Sequence, residues 1–155
     1  MQVLRIAMVV AGGLALLACQ PQDRRSGFWL NGEAAEFPAD WSFVEQHQEI
    51  AIQVSSPYLL PHSVTIWCAH VDGRLYIAAG RAATKNWPGW VDDDPNVRLK
   101  IGERVYEAVL VELEGPDQIR PVQERYAVKY DLGGGSGADG GSRYWRVEPG
   151  QTGTD

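Results

Sequence analysis

The chain has 155 residues and carries 14 Lys and Arg against 20 Asp and Glu, which gives a formal net charge of −6. This acidic balance disfavours a nucleic-acid partner, because neutralising backbone phosphates requires a basic face. The length suits one domain built around a single hydrophobic core.

The first eighteen residues have the pattern of a lipoprotein signal peptide. Arg5 is their only charge, and the apolar run 6–18 follows it. That run fits a signal-peptide core of about 7–15 residues and falls short of the roughly 20 needed to span a bilayer. It ends in Leu-Leu-Ala-Cys19, which resembles the lipobox of bacterial lipoproteins. An ordinary signal peptide with a cysteine near its cleavage site is the alternative.

We therefore predict cleavage before Cys19 and a lipid on Cys19 that anchors the protein to a membrane. In a cell with two membranes, Gln20 after the cysteine predicts the outer membrane, facing the periplasm. Residues 19–27 are predicted to form a flexible tether, 28–148 the folded domain and 149–155 a disordered tail. Lipidation of Cys19 leaves Cys68 without a partner for a structural disulfide.

Alternating apolar and polar residues predict six strands, with Asp72-Gly73 and Gly102-Glu103 as hairpin turns. These strands cover residues 49–55, 63–71, 75–79, 97–101, 104–113 and 143–147. A short helical turn is predicted near Trp41, and 133–141 reads as a flexible Gly/Ser loop.

One late helix is predicted from an apolar stripe at spacings of three and four, formed by Ile119, Val122, Tyr126 and Tyr130. Proline lacks an amide hydrogen, so we expect the regular helix to begin at Pro121 and to end near Tyr130. Six strands and one helix predict a mainly β fold, a small antiparallel barrel.

The sequence argues against two kinds of site, a metal site and a reactive cysteine. An EF-hand-like spacing is present in Asp92, Asp94, Asn96 and Glu103, but its sixth position, which needs glycine, is Val97. The three histidines show no metal-ligand spacing, and no metal site is predicted. Cys68 and His70 share a strand face, but Val64 and Ile66 make that face apolar. We therefore expect Cys68 to be buried and unreactive.

The segment 79–90 is the strongest candidate binding site, because it places two cations among indole rings. Arg81 and Lys85 could hold a phosphate, and Trp87 or Trp90 could cover a flat ring. Alternatively, this is a surface loop whose tryptophans plug one end of the barrel. The residues by themselves favour the second interpretation.

Four segments in this order and spacing resemble the split-barrel proteins related to pyridoxamine-phosphate oxidase. They are 72–77 (Asp-Gly-Arg-Leu-Tyr-Ile), 85–87 (Lys-Asn-Trp), 94–99 (Asp-Pro-Asn-Val-Arg-Leu) and 102–106 (Gly-Glu-Arg-Val-Tyr). The closest branch contains the deazaflavin (F420)-dependent nitroreductases, and 128–130 (Val-Lys-Tyr) fits it too. The resemblance covers roughly residues 40–131. In place of that branch's Gly-Arg-Lys-Ser-Gly-like turn, this chain has 56–61 (Ser-Pro-Tyr-Leu-Leu-Pro).

The resemblance implies a six-stranded Greek-key split barrel, often a homodimer, that uses FMN or F420. It implies a phosphate site on Thr65, Arg81 and above all Lys85, with Trp67 or Trp87 covering the ring. The cofactor would carry the redox step, and the catalytic residues stay unknown. The expected function is thus a membrane-anchored lipoprotein that binds FMN, F420 or a similar flat ligand, as an oxidoreductase. The alternative is a non-enzymatic envelope lipoprotein that kept the barrel and lost the cofactor.

Overall fold

The computed structural model describes residues 29–133 and 141–150. The predicted signal peptide, Cys19, the tether, most of the Gly/Ser loop and residues 151–155 of the predicted tail lie outside these residues, so those predictions stay predictions. The predicted tail starts too early, because Pro149 is the last residue of a strand. Across the described part of the chain, no helix is long and apolar enough to cross a membrane.

The described residues form eight strands, two α-helices and two short 3₁₀ helices (42–46 and 82–84). The strands are β1 (Glu33–Ala34), β2 (Ile50–Ser55), β3 (Pro61–Ile66), β4 (Cys68–Val71), β5 (Arg74–Ala79), β6 (Asn96–Ile101), β7 (Arg104–Glu112) and β8 (Arg143–Pro149). The helices are α1 (Trp87–Asp93) and α2 (Pro116–Lys129).

The strands lie in the order β3-β2-β6-β7-β8-β5-β4, and every pair along this path is antiparallel. The two outermost strands, β3 and β4, are consecutive in the chain and joined by Trp67 alone. The sheet therefore curls into a barrel that one bent strand completes. The connection from β5 to β6 crosses to the opposite wall, which gives the Greek-key path.

The predicted mainly β antiparallel barrel is confirmed, with corrections in detail. The predicted strand 63–71 is two strands, because the chain pairs with β2 up to Ile66 and with β5 from Cys68 onwards. Counted as one bent strand, β3–β4 completes the six predicted strands. β1 is additional, and pairs in parallel with the start of β7.

The barrel interior is filled by the inward faces of these strands. Ile50, Ile52 and Val54 of β2 are all buried in the main core, as their alternation predicted. Trp41 and Trp145 are among the largest side chains in this core. A separate small cluster lies under α2 and includes Ala69, Leu113, Val122, Tyr126 and Tyr144.

The late helix begins earlier than predicted. α2 starts at Pro116, after Gly115, which adopts a left-handed φ of 77°. Pro121 lies inside the helix, so its missing N–H costs one intrahelical hydrogen bond but does not set the start. The apolar stripe itself is confirmed, since Val122 and Tyr126 are buried against the barrel. α1 is a second helix, where a single late helix was expected.

Candidate functional site

A cavity of about 780 Å³ opens where β3 separates from β5. The ladder between β4 and β5 ends at the pair Cys68–Ile77, and β3 then turns away to pair with β2. The split is bordered by Val64–Ile66 on one side and by Ala78 and Gly80 on the other, with α2 as a third wall. Its volume lies within the range of about 300–1,000 Å³ of small-molecule sites.

All five residues predicted to bind a cofactor line this cavity: Thr65, Trp67, Arg81, Lys85 and Trp87. They come from β3, the β3–β4 bend, the β5–α1 connection and the first residue of α1, which the barrel brings together. The structure thus places the predicted set around one cavity. The environments of these five residues differ.

Arg81 and Lys85 are exposed cations at the rim of the cavity. Within residues 29–133 and 141–150, neither side chain has an ion-pair partner. By contrast, Arg98, Arg125 and Arg143 each bind a carboxylate. Because Glu49 is the one acidic group among the described lining residues, the charged groups around the cavity sum to +1.

The turn between these cations is held by local hydrogen bonds. Arg81 has a left-handed backbone (φ 48°), which is uncommon for a residue with a side chain. Its carbonyl accepts hydrogen bonds from the amide of Thr84 (2.9 Å) and from the Thr84 hydroxyl (2.8 Å). The turn therefore fixes the starting point of both cationic side chains.

The two predicted ring-covering tryptophans differ sharply. Trp67 is 42% exposed and stacks one face on Tyr130, with centroids 4.3 Å apart and planes within 9°. Trp87 is 4% exposed and packs on Trp145 in the core, with centroids 5.1 Å apart. Trp67 is thus the indole with surface available to a ligand, whereas Trp87 packs as the plug interpretation requires.

Several lining residues were missed by sequence reasoning. Gln123, Tyr126 and Ala127 come from α2, and Ser142 and Tyr144 from the region of β8. Tyr126 and Tyr130 belong to the predicted apolar stripe of the late helix. That stripe could have indicated that the helix forms a wall of the cavity. Nothing in the spacing of Ser142 and Tyr144 relates them to residues 65–87, because only closure of the barrel brings them there.

Cys68 is fully buried, as predicted, and it has no disulfide partner among the residues that the structure describes. Burial raises the pKa of its thiol, which the neighbouring Lys129 ammonium opposes only in part. The Lys129 Nζ atom donates to the carbonyls of Val44 (3.0 Å) and Cys68 (2.8 Å), and lies 3.5 Å from the sulfur. This lysine therefore ties the end of α2 to β4 and to the first 3₁₀ helix.

His70 does not pair with Cys68. Its Nδ1 lies 3.2 Å from Oε1 of Glu45, which also binds Arg125 of α2. Burial disfavours ionisation of Glu45, but the hydrogen bonds from Arg125 and His70 outweigh it and lower the pKa of the carboxyl group. In the described residues no group of three or more His, Cys, Asp or Glu could hold a metal ion.

Comparisons with known proteins give a match at the level of structure. No protein-family model matches the sequence, and no curated protein matches it either. A candidate pyridoxamine 5′-phosphate oxidase from Listeria innocua is 18% identical with a TM-score of 0.55; the match covers 71% of this chain and 90% of that one. The chain therefore shares the split-barrel fold of that structure.

Two further structures share this split barrel. An FAD-binding protein from Mesorhizobium loti is 14% identical with a TM-score of 0.51, and the match covers 70% of this chain and 83% of that one. The protein Atu2129 from Agrobacterium tumefaciens, of unknown function, is 14% identical with a TM-score of 0.54. That match covers 64% of this chain, which spans about half (47%) of the Agrobacterium protein. At these identities the similarity establishes the fold alone.

Proposed function

We propose that this split barrel binds a phosphorylated flavin-type cofactor, FMN or F420, in the cavity beside β3 and acts as an oxidoreductase. The observation that carries the proposal is the pair of cations, Arg81 and Lys85, at the rim of a 780 Å³ cavity without a carboxylate partner in the described part of the chain. Two such charges suit a phosphate, which prefers charge-assisted hydrogen bonds.

The lining residues also fit the rest of such a cofactor. Thr65 contributes a hydroxyl-bearing side chain to the lining of the same cavity, and Trp67 offers indole surface to a flat ring. Burial lowers the pKa of His62, which keeps its ring neutral at pH 7. When bound, a flavin or deazaflavin supplies hydride transfer, while the protein supplies binding, orientation and exclusion of water. A cofactor-binding protein from Mesorhizobium loti with this fold supports the same proposal.

The test is ligand affinity in matched variants. Loss of one charge-assisted phosphate contact costs about 1.5–3 kcal/mol, so Lys85→Ala should bind FMN or F420 about 10- to 100-fold more weakly. Arg120→Ala removes another exposed cation that does not line the cavity, and should bind as tightly as the wild type. Equal affinity in Lys85→Ala and Arg120→Ala, or a wild type that binds neither cofactor, would refute the proposal.

The proposal includes a membrane anchor on Cys19, supported by Leu-Leu-Ala-Cys19 after an apolar run. Cys19→Ser should abolish acylation and leave unprocessed or soluble exported protein, which mass spectrometry measures. In a two-membrane cell we expect the acylated chain at the outer membrane, facing the periplasm. A homodimer, as the superfamily implies, is part of the same proposal, and sedimentation measures it.

A second candidate function is a non-enzymatic envelope lipoprotein without cofactor. The burial of Trp87 against Trp145 favours it, because this part of the 79–90 segment packs as a plug. The two candidates differ in the absorption spectrum of protein purified from its own host. A flavin or deazaflavin spectrum supports the first, and a colourless protein that rejects both cofactors supports the second.

A further inference from the structure

An apolar projection, residues 56–60, joins β2 to β3. Its side chains Tyr58, Leu59 and Leu60 are 76%, 96% and 67% exposed. Trp29, the first described residue, is 65% exposed and lines a cleft of about 380 Å³ together with Leu59 and Leu60. We call Trp29 with Tyr58, Leu59 and Leu60 the apolar tip. Apolar residues scattered singly over a surface are ordinary, whereas a group of them such as this one marks an interaction site.

The projection is ordered by hydrogen bonds that point its side chains outward. The amide of Leu59 donates to the carbonyl of Ser56 (3.1 Å), and the Ser56 hydroxyl donates to the carbonyl of Leu60 (2.7 Å). Leu59 adopts a left-handed backbone with φ 58°, which is unfavourable for a bulky residue. No burial of the Leu59 side chain compensates for this unfavourable backbone conformation, because the side chain is almost wholly exposed. The arrangement therefore indicates a surface shaped for contact with something apolar.

The course of the chain indicates what that contact is. Nine residues, 20–28, separate Cys19 from Trp29. Fully extended, ten steps of the chain reach about 35 Å at most. A lipid on Cys19 would therefore hold the Trp29 side of the domain close to the bilayer, and Trp29 is part of the apolar tip.

The chemistry of the apolar tip suits the bilayer interface. The sequence has no Asp, Glu, Lys or Arg between Glu49 and Asp72. The one charged pair lining the cleft, Arg98 and Glu107, is an ion pair with 2.9 Å between Nε and Oε1. Trp and Tyr favour the headgroup level of membranes, and leucine favours the acyl boundary below it.

We propose that the apolar tip inserts into the interface of the bilayer to which the chain is anchored. This proposal rests on the anchoring through Cys19 proposed above. The tip adds a second attachment point, and two points fix the orientation of the domain relative to the membrane, which a lipid on a tether cannot do. Because the domain is acidic, the matching surface is zwitterionic lipid.

The test measures the depth of single labelled positions in the acylated protein. Tyr58→Cys carries an environment-sensitive fluorophore, and the protein is reconstituted in phosphatidylcholine vesicles containing nitroxide-labelled lipid. Val128→Cys on α2, equally exposed at 72%, is the matched control. The buried Cys68 and an acylated Cys19 leave the new thiol as the reactive one. We expect a blue shift and strong quenching at position 58, and neither at position 128.

Equal, weak quenching at both positions would overturn the proposal. A label at position 58 that is shielded in the dimer and accessible in the monomer, measured without vesicles, would assign the tip to a second copy of the chain and overturn the proposal too. Adding Leu59→Ser and Leu60→Ser to Tyr58→Cys should abolish the quenching. Mass spectrometry of the same preparation tests the anchor separately. If the protein is unacylated, the anchor is refuted, and Cys19→Ser is then added so that position 58 carries the reactive thiol. A label at position 58 that is still quenched in this variant supports the tip, and one that is not quenched overturns it.

Discussion

Replacing Trp87 by alanine tests whether the tryptophan of the predicted cofactor segment serves the fold or the ligand. Its side chain is 4% exposed and lies between the cavity and the main core, against Trp145. Pro88 beside it is also fully buried, so α1 closes this end of the barrel with two adjacent side chains. The structure therefore predicts that the substitution acts mainly on stability.

The magnitude follows from the burial. Truncating a buried tryptophan to alanine costs about 3–5 kcal/mol, because transfer free energy is lost and a cavity is left behind. Trp67→Ala, the matched control, removes an indole that is 42% exposed and stacked on Tyr130. Such a stack contributes about 0.5–1.5 kcal/mol in addition to the hydrophobic effect of the area it buries. We therefore expect Trp67→Ala to lower the free energy of unfolding by about 1–2 kcal/mol. The free energy of unfolding of a natural domain is only about 5–15 kcal/mol, so the expected difference between the two variants is a large part of it.

Chemical denaturation of the wild type and both variants, followed by far-UV circular dichroism, measures these free energies of unfolding. Cofactor affinity measured on the folded variants separates the roles, since Trp67→Ala should weaken ring binding while Trp87→Phe should largely keep it. A Trp87→Ala protein within about 1 kcal/mol of the wild type would refute the plug assignment. So would a Trp87→Phe protein of near-normal stability that no longer binds the ligand of the wild type.

Two further predictions concern two ionisable groups, the buried Cys68 and the partly buried Glu45. Cys68 should react slowly with a thiol reagent in the folded protein and rapidly in denaturant, because burial raises its pKa; fast native labelling contradicts this. The folded pKa of Glu45 lies below its ordinary value of 4.5, so its ionised form stabilises the fold above about pH 4.5, and this stability is lost as pH falls through the lowered pKa. Glu45→Gln should therefore be less stable by about 1–2 kcal/mol at pH 7 and show a shallower acid dependence; parallel stability curves from pH 7 to about pH 3 would rule this out.

The strands were predicted well because the alternation of inward and outward side chains continues along a strand even where the strand bends. Val64, Ile66 and Cys68 keep one face across the bend at Trp67, so the alternation gave no sign of the bend. The bend is a change of hydrogen-bonding partner from β2 to β5, and partner choice is a property of the whole sheet. The start of α2 was predicted wrongly because Pro121 lies inside the helix rather than at its start. One lost hydrogen bond at Pro121 destabilises the helix by less than the packing of α2 against the barrel stabilises it.

The cavity was predictable only in part. Arg81 and Lys85 were identified because two cations beside indoles are unusual in sequence, and the structure puts both at the rim. The difference between Trp67 and Trp87 could not be predicted, because the exposure of each indole depends on which wall of the barrel it faces. Tyr144 is 57 residues from Trp87 in the chain, and only the pairing of β8 with β5 brings it to the cavity.

The separation of β3 from β5 has a consequence for how such a cavity changes over evolution. Two strand edges that are not paired with each other border the cavity, and strand edges carry main-chain N–H and C=O groups. A planar molecule that hydrogen-bonds there is recognised by atoms common to every amino acid. If the cavity binds a ring as proposed, substitution of the surrounding side chains would alter which ring system fits, while the main-chain groups at the two strand edges would still hold a ring. One split barrel can in this way exchange one flat ligand for another with few mutations.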